Sequence, residues 1–200
     1  FSTKNKNWKS IDMSKACKFS QGVQIPVENQ STRIEKFYST RFLRIVDFTQ
    51  GYQPPRYISD KKVKEFFKED DIAIVRYGAS AGFICTGLKG QIANNLFKIS
   101  MINSEFENDY LLCFLKSPLF SNFIKKKVGG AAMPALSFGM FKQFFIEYPV
   151  SHKERYTIVS KCNLINKQVD SVKKLLNKKL LNLNLLKSVV LSKILLREVA

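Results

Sequence analysis

The sequence predicts an α+β protein in two parts. Residues 1–150 form a globular domain of short mixed strands and helices, and residues 151–200 form one long coiled-coil-forming α-helix. Two observations lead there. From Ser151 to Ala200 there is no Gly or Pro, and apolar residues recur every three or four positions, the spacing that keeps one stripe of a helix facing a partner. Before Ser151, short apolar runs, partly β-branched or aromatic, are broken by Gly, Pro, Asn and Asp, the punctuation of strands and turns.

Residues 1–20 are basic and polar around Trp8, Ile11, Met13 and Phe19. Gln21-Gly22-Val23 predicts a turn leading into a short strand, and residues 29–36 a polar loop. Arg41 to Asp47 alternates in a strand-like way, with basic residues on one face. Thr49 to Pro55 predicts a loop, and Asp60 to Phe67 a short helix capped by Ser59 or Asp60. Behind Asp70-Asp71, Ile72–Val75 is a buried-strand run; the small residues of Gly78–Gly82 turn it back into Phe83–Thr86, making a hairpin. Gly87 and Gly90 bracket another turn before Gln91–Ile99 leads into a further strand. Asn108–Leu115 predicts a helix, and Pro118 starts a second that ends at Lys125-Lys126-Lys127, where positive charge suits the carbonyl end of the dipole. Gly129–Ala132 reads as a flexible loop, and Leu136–Ile146 as a helix-like turn running into a strand closed by Pro149.

Ser151 offers the long helix an N-cap hydroxyl, with Glu154 at capping-box spacing. Ile158, Cys162, Ile165, Val169, Val172, Leu176, Leu183, Leu186 and Val190 fit the a and d positions of a heptad, interrupted at Lys179 and Lys193. About 45 residues make a rod of roughly 70 Å, longer than the domain before it is wide, so its stripe must be buried largely against something else. Leu175, Leu180, Leu181, Leu185, Val189, Leu191, Ile194, Leu195 and Leu196 widen the apolar surface toward the end, which favours a bundle or a second partner over a two-stranded seam. The alternative is a helix folded back over its own domain. Lys178, Lys179, Lys187 and Lys193 interrupt every apolar run well short of the ~20 residues of a membrane span.

The chain holds 33 basic and 16 acidic residues, a net charge of +17. Residues 1–152 account for +9 and residues 153–200 for +8, so the excess is not confined to a tail. Such a field favours a polyanion, nucleic acid first. Only seven of the basic residues are Arg, so a lysine excess that serves solubility is the plainer account. Cys17, Cys85, Cys113 and Cys162 lie far apart, and His152 is the one histidine; that argues against zinc and for buried thiols in a reducing cytoplasm. The N-terminus has no apolar signal core and no starting Met, which predicts a piece of a longer polypeptide.

Catalytic patterns are poorly represented. Gln53-Pro54-Pro55-Arg56 has the prolines of an amino-methyltransferase motif but neither flank, and Gly78 and Gly82 lack the Lys-Ser pair of a phosphate loop. Asp60, Lys62 and Glu65 imitate a metal nuclease only weakly. No cofactor is implied. DNA binding has more behind it. Arg76 and Tyr77 precede a loop of Gly, Ala and Ser80, where small side chains let the backbone approach phosphates. Asn94 and Asn95 carry the donor and acceptor that adenine-edge readout requires. Gln50, Tyr52, Gln53 and Arg56 read as a second polar-aromatic loop, and Arg41, Lys125 and Lys127 add charge. Each loop alone is ordinary hairpin chemistry; their co-occurrence in a domain of charge +9 points to double-stranded DNA.

In order along the chain, these features resemble the specificity subunit of type I restriction–modification systems, one target recognition domain followed by one long helix. The resemblance rests on Trp8, Ile11 and Gly22; on Asp70-Asp71-Ile-Ala-Ile-Val, with Asp70 where the family has Gly; and on the loop Gly78–Gly82. It continues through Ala93-Asn-Asn-Leu-Phe, Tyr110–Ser117, Gly129-Gly130, Leu136-Ser137 and Phe141–Pro149. Glu154-Arg155 stands where the family has Glu-Gln, and Leu186–Leu196 is similar to its basic, apolar helix end. The resemblance implies a non-catalytic subunit that reads one half of a split DNA target, docks modification subunits and a restriction subunit, and so directs adenine methylation and restriction. It further implies a helix that pairs with a self-dimer copy or with the second half of the subunit, as a spacer. The rival is a coiled-coil adaptor whose basic domain binds an acidic protein.

Overall fold

The computed structural model describes residues 7–51, 53–102, 105–129 and 135–197. The chain divides into two compact units, Phe1–Arg155 and Tyr156–Ala200.

The first unit begins with β1 (Trp8–Asp12), a single turn α1 (Met13–Ala16) and β2 (Cys17–Gln21). Asp12 caps that turn by accepting from Ser14 N at 2.7 Å. Gly22 follows at a point of close approach, where a Cβ would press into the carbonyl oxygens of Ala93 and Ile92. The strand expected after it is a single parallel bridge between Val23 and Ala93.

The strand expected over residues 41–47 is cut in two, as β3 (Thr40–Leu43) and α2 (Ile45–Thr49). The reason is local. The Asp47 carboxylate accepts from the Arg44 backbone N–H at 2.8 Å and from Arg44 Nε at 3.0 Å, which caps a helix start and overrides the alternating pattern. Arg56, expected in a loop, opens β4 (Arg56–Ile58), where it pairs with Phe42. The expected helix from Asp60 to Phe67 shrinks to a 3-10 turn at Asp60–Lys62. The Asp60 carboxylate is taken by the Ser39 and Thr40 hydroxyls. Beyond the turn, Gln91 Oε1 accepts from Lys64 N and Glu65 N at 2.9 and 3.3 Å, and those two amides are then unavailable to a helix.

The hairpin stands as the sequence predicts: β5 (Ile72–Val75), fully buried, pairs antiparallel with β6 (Ile84–Cys85). After β7 (Gln91–Ile92), the Asn94-Asn95 turn leads into β8 (Leu96–Met101). Helices α3 (Asn108–Leu115) and α4 (Pro118–Val128) follow, the latter capped by Ser117 and ending in three lysines. The loop expected at Gly129–Ala132 lies, past Gly129, outside the described residues. A 3-10 segment, Phe138–Gln143, leads into β9 (Phe145–Pro149).

The described strands form an antiparallel pair β1-β9, a sheet ordered β2-β8-β5-β6, and a sheet ordered β4-β3-β7 in which β3 and β7 run parallel. Leu43, Phe67, Val75, Cys85 and Leu96 are buried together in one cluster to which both larger sheets contribute. A second layer is aromatic. Phe19 stacks on Phe141 at 4.7 Å between ring centres, Phe97 lies 4.2 Å from Phe138, and Phe120 meets Phe144 edge-on at 5.1 Å. Gly82, with φ +91°, lets the hairpin loop sit directly on the Ile124 side chain of α4, in a conformation that disfavours any Cβ.

Helix α5 (His152–Arg197) runs unbroken for 46 residues. Ser151 Oγ accepts from Glu154 N at 3.4 Å, as the cap expected there. Ile158 and Cys162 are half-buried, but every described residue from Asn163 to Leu195 is exposed. The heptad positions Ile165, Val169, Val172, Leu176, Leu183, Leu186 and Val190 are between 44% and 60% exposed. No helix among the described residues is long and apolar enough to cross a membrane.

Candidate nucleic-acid interface

The Asn94-Asn95 turn, α2 and the Arg76–Gly82 loop converge on an open hollow of about 560 Å³. Its walls include Gln24, Arg44, Gln53, Tyr77, Ser80, Asn94 and Asn95. A second hollow of about 480 Å³ adjoins it, between Gln21–Ile25 and the lysines Lys61, Lys62 and Lys64. Gln24, Ile25 and Asn94 line both. Of the residues predicted from sequence, Tyr77, Ser80, Asn94 and Asn95 therefore come together.

The others do not join them directly. Arg76 stands next to the hollow, but its guanidinium lies over two rings, 4.5 Å from the Tyr77 centre and 4.9 Å from that of Phe97. Its Nε donates to the Leu136 carbonyl at 3.3 Å. Arg41 faces a separate hollow of about 320 Å³ beside Phe66 and Lys89; it lies 3.6 Å from Asp47, and its buried Nε has no hydrogen-bond partner among the described residues. Arg56 is half-buried in β4, and Gln50 is exposed at the end of α2. Tyr52 lies outside the described residues. Lys125 and Lys127 are exposed on α4, where Lys127 Nζ donates to Gln143 Oε1 and lies 5.8 Å from the Phe123 ring centre.

Sequence reasoning missed Gln24, Arg44 and the run Lys61, Lys62 and Lys64. The lysine run was visible as a signal; what brings it to the Asn94 turn is the Gln91 amide, 27 residues from Lys64. Lys98, by contrast, is a sheet lysine that is spoken for, 2.8 Å from Asp71 and 3.2 Å from Glu65. Burial opposes its charge, but hydrogen bonds and attraction from both carboxylates overcome this and raise its pKa. Among the described residues, no three His, Cys, Asp or Glu side chains gather as a metal site. Burial pushes the Cys17 and Cys85 thiols up to about 12, which leaves them inert.

Comparison with solved structures decides the architecture. A chain from the structure of complex assembly and conformational transition of the type I R-M system superposes with a TM-score of 0.63 and 18% identity, over 84% of this chain. The HsdS subunit from Thermoanaerobacter tengcongensis gives 0.62 and 18% over 85%. The S subunit of the type I system from M. genitalium gives 0.61 and 13% over 84%. The fold is that of a type I specificity subunit. In sequence, the chain is 24% identical over 176 residues to the type I restriction enzyme MjaVIII specificity subunit from Methanocaldococcus jannaschii, covering 76% of this chain. No family model matches. The chain spans 41% of the MjaVIII subunit's length and 40–41% of these three solved specificity-subunit and R-M chains. The α+β domain followed by one long helix is the part of the type I specificity-subunit fold that this chain carries.

Proposed function

We propose that this chain is the DNA-reading half of a type I restriction–modification specificity subunit, without chemistry of its own. The observation that carries the reading is the superposition on type I specificity subunits over more than four fifths of the chain. The polar double hollow with its lysine rim supports it. Residues 1–150 recognise one half of a bipartite duplex target, phosphates fixing register and base edges giving the sequence. Residues 151–200 act as a spacer and docking rod. The exposed heptad stripe pairs with a second copy of the chain or with the other half of the subunit. Modification subunits bind alongside, a restriction subunit joins them, and adenine methylation and restriction follow where the reader lands. The setting is the cytoplasm.

Two measurements test this. Deleting the locus should remove one bipartite methylated-adenine motif from the host methylome; an unchanged methylome overturns the reading. A salt titration of duplex binding separates it from an adaptor for an acidic protein. Each neutralised phosphate should contribute about −0.9 to the slope of log affinity against log salt, and a chain with no affinity for duplex at low salt speaks for the adaptor.

A further inference from the structure

Because Gln24, Ile25 and Asn94 line both hollows, they form a ridge between them. The ridge is held from behind. The Asn94 backbone N–H donates to the Val23 carbonyl at 2.9 Å, and the Asn94 carbonyl accepts from Gln21 Nε2 at 2.9 Å. Asn94 Nδ2 donates to Gln24 Oε1 at 3.3 Å. The peptide and the side chain are thus both oriented, while Gln24 is exposed and Asn94 only half-buried. A side chain already held in place loses little freedom on binding.

The amide pair uses one donor of Asn94 and one acceptor of Gln24. Asn94 keeps its carboxamide oxygen and a second N–H. The major-groove edge of adenine offers an acceptor at N7 and a donor at N6, the complement of a carboxamide. Available cations lie on one side. Lys61, Lys62 and Lys64 make no ion pair among the described residues. In the other hollow the Arg44 guanidinium is taken: Nε and Nη2 donate to the Asp47 carboxylate at 3.0 and 3.3 Å, and Nη2 donates to the Pro54 carbonyl at 2.9 Å. A neutral amide ridge with a cationic hollow at its side fits a base edge next to a phosphate strand.

We propose that Asn94, positioned by Gln24, is a specificity-determining residue that reads an adenine in the major groove, while Lys61, Lys62 and Lys64 take the adjacent phosphates. The inference rests on the DNA-recognition reading above. Selection from a randomised duplex pool by the full chain, read by sequencing, tests both and keeps them apart. The unmodified chain should enrich a motif; if it enriches none, the DNA-recognition reading itself falls, and this inference with it. Asn94→Ala should relax the preference at one A·T pair by about five- to 150-fold, with the other positions and the salt slope unchanged. Gln24→Ala should relax the same pair more weakly. Replacing Lys61, Lys62 and Lys64 by Ala should weaken all sequences alike and reduce the salt slope by about 3. A motif left intact by Asn94→Ala, weakened equally at every position, or relaxed at a G·C pair overturns the assignment while DNA recognition stands. Should Asn94→Ala unfold, the exposed Gln24→Ala variant decides: an unaltered motif there overturns the assignment.

Discussion

The guanidinium of Arg155 holds the carboxylate of Glu107 with two hydrogen bonds, Nε to Oε2 at 2.9 Å and Nη2 to Oε1 at 3.0 Å. Arg155 is buried, and its Nη1 donates to the Pro149 and Val150 carbonyls at 2.9 and 2.8 Å. One side chain thus ties the end of β9 to the residue before α3. Replacing Arg155 by Met should lower the unfolding free energy in urea by about 1.5–3 kcal/mol, and Glu107→Gln by less, since Glu107 is 40% exposed. An Arg155→Met protein with the parent's urea midpoint shows the tie to be idle.

The same pair sets an acid response. The hydrogen bond from Arg155 is the main cause that holds the Glu107 carboxyl below its ordinary value, and burial opposes it. A lowered folded-state pKa means that the unfolded chain binds the proton more readily. The stabilisation is therefore complete above the unfolded value, about 4.3, and is lost as pH falls through the folded one. Melts between about pH 6 and 3 should drop more steeply for the parent than for Glu107→Gln; parallel curves would remove Glu107 from the acid response.

Gly22 is fixed by space. Its N–H donates to Leu96 O at 3.1 Å while the carbonyls of Ile92 and Ala93 crowd the position a Cβ would take. Backbone atoms cannot yield as a flexible side chain does, so Gly22→Ala should cost about 1–3 kcal/mol in thermal or urea unfolding. Gly139→Ala is the control, because its nearest neighbour is Ser137 Oγ at 3.9 Å, and it should leave the melt within a few tenths of a kcal/mol. Coincident melts for the two variants would show that the strand junction relaxes freely.

What the sequence made legible was local. Ile72–Val75 reads as a buried strand because four consecutive apolar residues sit between an acidic pair and a Gly-rich loop. The long helix reads as one element because nothing in it interrupts the backbone. What it hid depended on distant partners. Arg41 to Asp47 alternates like a strand, and only the Asp47 carboxylate turning back on Arg44 N divides it. The parallel pairing of β3 with β7 joins Phe42 to Gln91, and no pattern within either segment announces it. Lys61, Lys62 and Lys64 look like a solvated helix start until the Gln91 side chain holds the adjoining backbone.

Leu176 is 60% exposed on α5, so it contributes little to the fold of the single chain, and the proposed pairing of the stripe assigns it to assembly. The proposed pairing predicts self-assembly of the parent chain in sedimentation velocity and its loss in Leu176→Glu, with the domain's melting curve unchanged. Leu176→Ile should keep the assembly, since a volume-conserving swap at such a seam costs under about 1.5 kcal/mol. An assembly indifferent to Leu176→Glu would move the contact surface to the wider face that carries Leu175, Leu180 and Leu185.

Arg76 separates two roles that the sequence runs together. Its guanidinium is stacked against Tyr77 and Phe97 and bonded to Leu136 O, and the Arg76 carbonyl accepts from Leu136 N at 2.9 Å. The residue thus fastens the segment before the 3-10 turn to the hairpin loop. Arg76→Ala should cost about 0.5–2 kcal/mol of stability before any DNA is added. A base contact would add about 1–3 kcal/mol of lost discrimination at one position. Arg76→Lys keeps the charge but not the flat, forked group that stacks. If Arg76→Lys restores duplex affinity but not the melt, the charge serves phosphate and the plane serves the fold. An Arg76→Ala protein that melts like the parent, with unchanged affinity and sequence preference in gel shifts, would strip the residue of both roles.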